Sequence, residues 1–358
     1  MRVYLNLLLS ILMLALLVSC NDDETEVQPQ TDYTSADEFF ESLDFSGSVL
    51  IEKGSSEILR KGYGYADVTA GEFNSKTHVY RIGSMTKAFT AVGIIHLKRD
   101  GLIESYDQPI SDFTDEFPFA DQITLRQLLT HHSGIPDYTG AVETLSASQN
   151  QDFTPEEIFE ILVEGVAEEG LNFEPGTEFE YSNSNYLLLG LLIEALSGQN
   201  YHDYLKTKIF DPLGMFATKE GPNEMSGAPY AKGYLNGSEV TPYRMQIAYS
   251  AGDLVSNLED MEKWAKALMG DTYLTAAEKE ELFAEPYSED GYNTIGFGWF
   301  TIKIEGKLMY YHGGDINGFT SFIGLLPDSN GVIVMLSNEQ DKGEMRNLIQ
   351  ETITINEF

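Results

Sequence analysis

β-Patterned sequence lies at the two ends of this chain and helix-patterned sequence lies between them. That split constrains the fold more than any other feature. Residues 44–53 and 57–67 alternate, carry β-formers and flank Gly54-Ser55-Ser56, which predicts a hairpin. Strand-like runs return at 297–304, 307–311, 320–326 and 331–337 with hairpin-type connections. From about residue 101 to 218 the signals are helical, with turns at Gly134-Ile135-Pro136 and Pro175-Gly176. A closing helix is predicted from Gly343 to about Thr354. The early and late strands must meet in one antiparallel sheet. The expected fold is therefore α+β: a sheet flanked by helices with an inserted, mainly helical subdomain. With roughly 320 residues after the leader, the chain is near the upper size of one core, so a cleft between two lobes is expected.

An almost wholly apolar run follows Arg81-Ile82-Gly83-Ser84-Met85-Thr86-Lys87 and includes Ala88, Phe89, Ala91, Val92, Ile94, Ile95 and Leu97. It stops on Lys98-Arg99-Asp100-Gly101, cations and then a glycine, as helices end. A helix this apolar belongs in a core. Ser84 and Lys87 are three apart and share a helix face. A serine hydroxyl needs a neighbouring base to become nucleophilic, and burial pushes a lysine toward its neutral, basic form. By itself the pair also fits a helix cap and a first-turn surface charge.

Two further constellations follow. Tyr181-Ser182-Asn183 comes after the Pro175-Gly176 turn and just before a second apolar helix, which begins around Tyr186 and reaches Leu196. A phenol beside an ammonium can lose its proton more easily and share the general-base role, and the Asn183 amide can orient an acyl group. Tyr234-Leu235-Asn236 has the same form, but no apolar helix follows it. His312-Gly313-Gly314 then ends the run 307–311. Paired glycines let backbone approach a ligand closely, and the Asp315 N–H could join that of Ser84 in an oxyanion hole. His132-Ser133-Gly134 reads instead as a helix end and turn.

In this order the motifs resemble the serine β-lactamase and penicillin-binding-protein superfamily, in its class C, D-alanyl-D-alanine-carboxypeptidase-like branch. The S-x-x-K motif is a known signature of related enzymes. Further resemblance lies in residues 128–136, Pro212-Leu213-Gly214-Met215, Ala251-Gly252-Asp253-Leu254-Val255-Ser256 and Gly296-Phe297-Gly298-Trp299. It implies Ser84 as nucleophile, Lys87 and Tyr181 as the acid–base pair, and Asn183, His312, Gly313, Gly314 and Asp315 as the substrate-binding set. His312 stands where lactamases carry a lysine that faces the substrate carboxylate. Histidine is mostly neutral at pH 7, so weaker binding of anionic β-lactams is expected. Family members with histidine here include esterases and aminopeptidase-like hydrolases. The resemblance leaves esterase, peptidase and weak β-lactamase open, along with a non-catalytic surface lipoprotein that binds peptide or glycan.

Residues 3–18 are apolar after Met1-Arg2, shorter than the about 20 residues of a membrane span, and they read as a secretory signal. The run ends Leu17-Val18-Ser19-Cys20, which resembles a bacterial lipobox, and Cys20 is the only cysteine. The expected organisation is a signal peptide over 1–19, a lipidated Cys20 with a flexible acidic tether to residue 37, and a catalytic domain over 38–358. Membrane attachment would be by the lipid alone, to the outer membrane, facing either the periplasm or the surface. With 57 acidic against 22 basic residues, the chain repels phosphates, which excludes nucleic acid as a partner. No H-E-x-x-H or G-x-S-x-G motif occurs, so neither a metal, another cofactor nor an α/β-hydrolase is expected. Oligomeric state is not encoded in any recognisable signal.

Overall fold

The computed structural model describes residues 33–283, 294–304, 306–340 and 345–358. The signal segment, Cys20 and most of the tether lie outside the described residues, as does Gly343 at the start of the closing helix.

The two ends of the chain do form one sheet. Its seven strands run in the order Thr294–Ile295, Phe300–Ile304, Lys307–Ile316, Phe319–Leu326, Gly331–Ser337, Gly47–Lys53 and Ser56–Tyr63. Every neighbouring pair is antiparallel. The join is the pairing of Gly47–Lys53 with Gly331–Ser337, from Gly47 opposite Ser337 to Lys53 opposite Gly331. Phe319–Leu326 and Gly331–Ser337 are buried throughout, as central strands covered on both faces must be.

Side-chain alternation sends the two faces of the sheet into different cores. Val49, Ile51 and Met335 pack with Phe39 and Phe40 of the helix Ala36–Ser42 and with Leu348 and Ile353 of the helix Met345–Ile355. Leu50, Val334 and Leu336 join the larger core, which contains the helical part of the chain. At its centre runs the helix Thr86–Arg99, buried from Thr86 through Leu97. Gly93 lets the second apolar helix, Asn183–Ser197, come close: a Cβ there would sit 2.9 Å from Ile193 Cδ1. Trp264 stacks on Phe89 with ring centroids 4.4 Å apart. No helix among the described residues is long and apolar enough to cross a membrane.

Three boundaries differ from expectation. Gly64, at φ +62°, breaks the second strand after Tyr63, leaving Tyr65–Asp67 as a separate short strand. The second apolar helix starts at Asn183, three residues early, because a neighbouring carboxylate supplies its N-terminal acceptor. Most consequentially, the strand from Lys307 does not stop at Tyr311. It continues through His312-Gly313-Gly314 to Ile316, with Gly314 opposite Ser321. Glycine suits that position because another backbone crosses it: a Cβ on Gly314 would meet the Ile82 carbonyl oxygen at 2.0 Å.

Candidate active site

Ser84 sits not in the core helix itself but in the 3-10 turn Gly83–Met85 that feeds it. Gly83 takes φ +51°, a conformation glycine adopts without strain. An ideal Cβ on Gly83 would lie 3.1 Å from the Asp315 backbone nitrogen, so turn and strand are in van der Waals contact. Ser321 Oγ fastens the same junction by donating to the Ile82 carbonyl at 2.8 Å. The half-buried Ser84 is thereby held beside the strand that carries Asp315.

Lys87, one helical turn on, is completely buried. Its Nζ lies 3.3 Å from Ser84 Oγ, 2.7 Å from Asn183 Oδ1 and 2.7 Å from the Ala251 carbonyl oxygen. Burial pulls the amine down to about 7, with Asp137 acting in the opposite sense. At neutral pH a large share of Lys87 is therefore a free base within reach of the serine hydroxyl.

Tyr181 closes the triangle. Its hydroxyl lies near enough to Ser84 for that side chain to draw it downward, and Lys87 Nζ lies 4.8 Å from the centre of its ring. Here the expectation of an easily ionised phenol is corrected. Burial holds the Tyr181 hydroxyl well above its ordinary range, and the Asp137 and Asp315 carboxylates add to the effect, against the opposing pull of Ser84. Tyr181 is thus held as a neutral phenol, while Lys87 is pushed toward its free-base form.

The ring of Tyr181 is fixed by a residue that sequence reading set aside. His131 stacks on it, centroids 4.4 Å apart and planes 27° from parallel. Its φ of +57° is uncommon outside glycine. Its Nδ1 accepts from the Ser182 N–H at 3.2 Å and lies 3.2 Å from Asn185 Nδ2. Burial keeps this imidazole well below its ordinary range, so it is neutral. The turn 131–134 thus packs as a structural turn, and it is built around the Tyr181 ring.

Asn183 is engaged at both ends of its amide. Its Oδ1 faces Lys87, and its Nδ2 donates to Asp137 Oδ2 at 2.9 Å. One N–H of the amide is left for a substrate, so the role expected for Asn183 is shared with holding Lys87. His312 is buried on the strand, its Nδ1 2.5 Å from the Gly313 carbonyl oxygen. A carbonyl only accepts, so the proton sits on Nδ1 and Nε2 keeps a bare lone pair. Burial, with Lys87 nearby, pushes His312 down to about 3, leaving it uncharged.

A cavity of about 260 Å³ opens over this group. Its lining includes Ser84, Glu143, Asn183, Tyr243, Asp315 and Asn317. Among the described residues it carries two carboxylates, Glu143 and Asp315, and no lysine, arginine or histidine. Tyr181, Asn183 and Asp315 thus meet at Ser84, while the rival Tyr234 belongs to a separate two-stranded ribbon.

Asp137, His131 and Ala251 were not singled out from sequence, although all three lie in or beside stretches that resemble the family. One acidic trio was also missed. His202 Nε2 is 2.8 Å from the buried Asp253 Oδ2, and its Nδ1 is 3.8 Å from Glu220 Oε2. Because opposite ring nitrogens face the two carboxylates, this is an ion-pair arrangement. It lies outside the cavity lining.

The family model described as Beta-lactamase matches residues 37–353. Penicillin-binding protein 4* of Bacillus subtilis (strain 168) is 30% identical over 334 residues, covering 86% of this chain and 71% of that protein. Protein flp of Staphylococcus aureus (strain MRSA252) is 32% identical over 305 residues, covering 81% of this chain and 59% of that protein. The crystal structure of D-amino acid amidase from Ochrobactrum anthropi SV3, complexed with D-phenylalanine, superposes with a TM-score of 0.77 at 26% identity. That match covers 89% of this chain and 96% of the amidase. With this fold, this placement of Ser84 and a match over nearly its whole described length, the chain belongs to the β-lactamase family, in the class C-like group that includes penicillin-binding proteins.

Proposed function

We propose that this protein is a serine hydrolase that forms an acyl-enzyme at Ser84 on an amide or ester substrate. The observation that carries the reading is the convergence of the Lys87 amine and the Tyr181 hydroxyl on one serine. Neutral Lys87 takes the Ser84 proton as Oγ attacks the substrate carbonyl. The developing oxyanion accepts from the Ser84 and Asp315 backbone N–H groups, each donor being worth about 2.7–4 kcal/mol of transition-state stabilisation. Tyr181 gives its proton to the departing amine or alcohol and recovers one from the Lys87 ammonium. Water then attacks the acyl-enzyme by the reverse sequence of proton transfers.

Electrostatics narrow the substrate. With Glu143 and Asp315 in the lining, no lysine, arginine or histidine among the described lining residues, and the neighbouring His312 uncharged, the site offers a substrate carboxylate no fixed positive charge there. A neutral or amine-bearing acyl group suits the site better than an anionic β-lactam. The expected test result is a change of preference. His312→Lys should raise the ratio of penicillin to neutral-ester acylation about tenfold, the worth of one charge-assisted hydrogen bond. An unchanged ratio would remove His312 from substrate selection. The alternative of a non-catalytic surface module predicts a folded protein that neither substrate acylates.

We also infer that the protein is exported and held by a lipid on Cys20. Residues 3–20, with their charged start, apolar middle and terminal cysteine, support this.

A further inference from the structure

We propose that Asp137 is a positioning residue: its carboxylate locks the Asn183 amide with the carbonyl end turned toward Lys87. The proposal rests on the acyl-enzyme reading for its kinetic consequence, though not for its geometry. Asp137 Oδ2 accepts twice from Asn183, from the backbone N–H at 2.6 Å and from Nδ2 at 2.9 Å. Asp137 Oδ1 accepts from the Thr139 N–H at 2.8 Å and from the Thr139 hydroxyl. Both oxygens therefore point at fixed donors, one of them the first N–H of the helix Asn183–Ser197, where negative charge is favoured.

The amide has two orientations, and only one suits its neighbours. As found, the NH2 end meets an anion and the carbonyl end meets Lys87 Nζ at 2.7 Å. A flip would set the carbonyl against the carboxylate and the NH2 against the amine. Removing the Asp137 charge lifts half of that penalty and frees the amide to turn. Lys87 then keeps only the Ala251 carbonyl as a close, fixed acceptor. The charge also acts directly. The titratable groups linked to Lys87 are Asp137, His131 and His312, and the rings of Tyr181 and Tyr186 lie against it. Of these only Asp137 is a carboxylate, and it favours the protonated amine.

Two readouts test this. The first is a double-mutant cycle on the rate of Ser84 acylation by a neutral activated ester. Asp137→Ala should slow acylation about tenfold in the native background, and less than twofold beside Asn183→Ala, because residues acting through one another are non-additive. Equal losses in both backgrounds would overturn the proposal. The second is a 13C NMR titration of the Lys87 ε-carbon in full-length protein, assigned with Lys87→Met. Asp137→Asn, which keeps the side-chain shape, should move that titration to lower pH. An unmoved titration would overturn the direct charge effect. The titration needs no turnover: if wild type is never acylated, the hydrolase reading fails while the Asp137–Lys87 link is still decided.

Discussion

Lys87→Met is expected to slow acylation of Ser84 by about 10²–10⁴, the usual worth of a positioned acid–base group. No neighbour replaces the lost base. Tyr181 is held well above its ordinary range, His131 well below its own, and His312 is pushed down to about 3. In wild type the acylation rate should rise with pH through about 7, as Lys87 becomes free amine, and then level off. The variant should lose that limb. A variant whose rate keeps both its magnitude and its rise through about 7 would show that another group is the base.

The same substitution should act oppositely on stability. Lys87 falls to about 7 in the fold from an ordinary value of 10.5. Between those values the unfolded chain binds more protons than the folded one, so stability rises with pH across that window. The penalty of burying the lysine is fully present below about pH 7 and fades toward 10.5. Lys87→Met is therefore expected to have a higher Tm than wild type at pH 6, with the gap narrowing by pH 10. Thermal melts at the two values check this. Catalytic loss with a stability gain would mark the lysine as placed there for chemistry.

Tyr181→Phe carries the second large effect, again about 10²–10⁴ in acylation rate. The substitution removes only the hydroxyl. The ring stacked 4.4 Å from His131 and facing Lys87 at 4.8 Å is retained, so the fold and the Lys87 environment should survive. The expected signature is a nearly unchanged Tm, a retained rise through about pH 7, and a uniformly lower rate. Because the phenol is a donor and not the base, the loss should be larger for an amide than for an activated ester, whose leaving group needs no proton. Equal rates for Phe and Tyr at 181 on an amide would take the tyrosine out of the mechanism.

Legibility from sequence differed with the physics behind each feature. The sheet was readable because alternation and turn chemistry are local: Gly54 to Ser56 and the late hairpins mark themselves, and two sets of half-buried strands must find each other. The core helix was readable because the run after Lys87 is apolar on every side and stops on Lys98-Arg99. Ser84, Lys87, Tyr181 and Asn183 were legible as types of chemistry at ordered spacings, and the structure brings all four together. What stayed hidden depends on contacts between distant segments. The strand through His312 to Ile316 looked terminated at two glycines, yet it runs on, and Gly314 is required there because the Ile82 carbonyl crosses it. The state of Tyr181 was misjudged because burial, not the adjacent amine, dominates it. His131 and Asp137 gave no local signal. One works by stacking and the other by accepting from an amide 46 residues away.

Chemistry at one hydroxyl is what all of this amounts to, and a single mass measurement reaches it directly. Full-length protein is incubated at pH 8 with an activated neutral ester, digested, and the peptide bearing Ser84 is weighed beside that of Ser84→Ala. An acyl group on Ser84, and none on the alanine variant, is the predicted result. A folded wild-type protein left unmodified, or carrying the acyl group equally with and without Ser84, would contradict it.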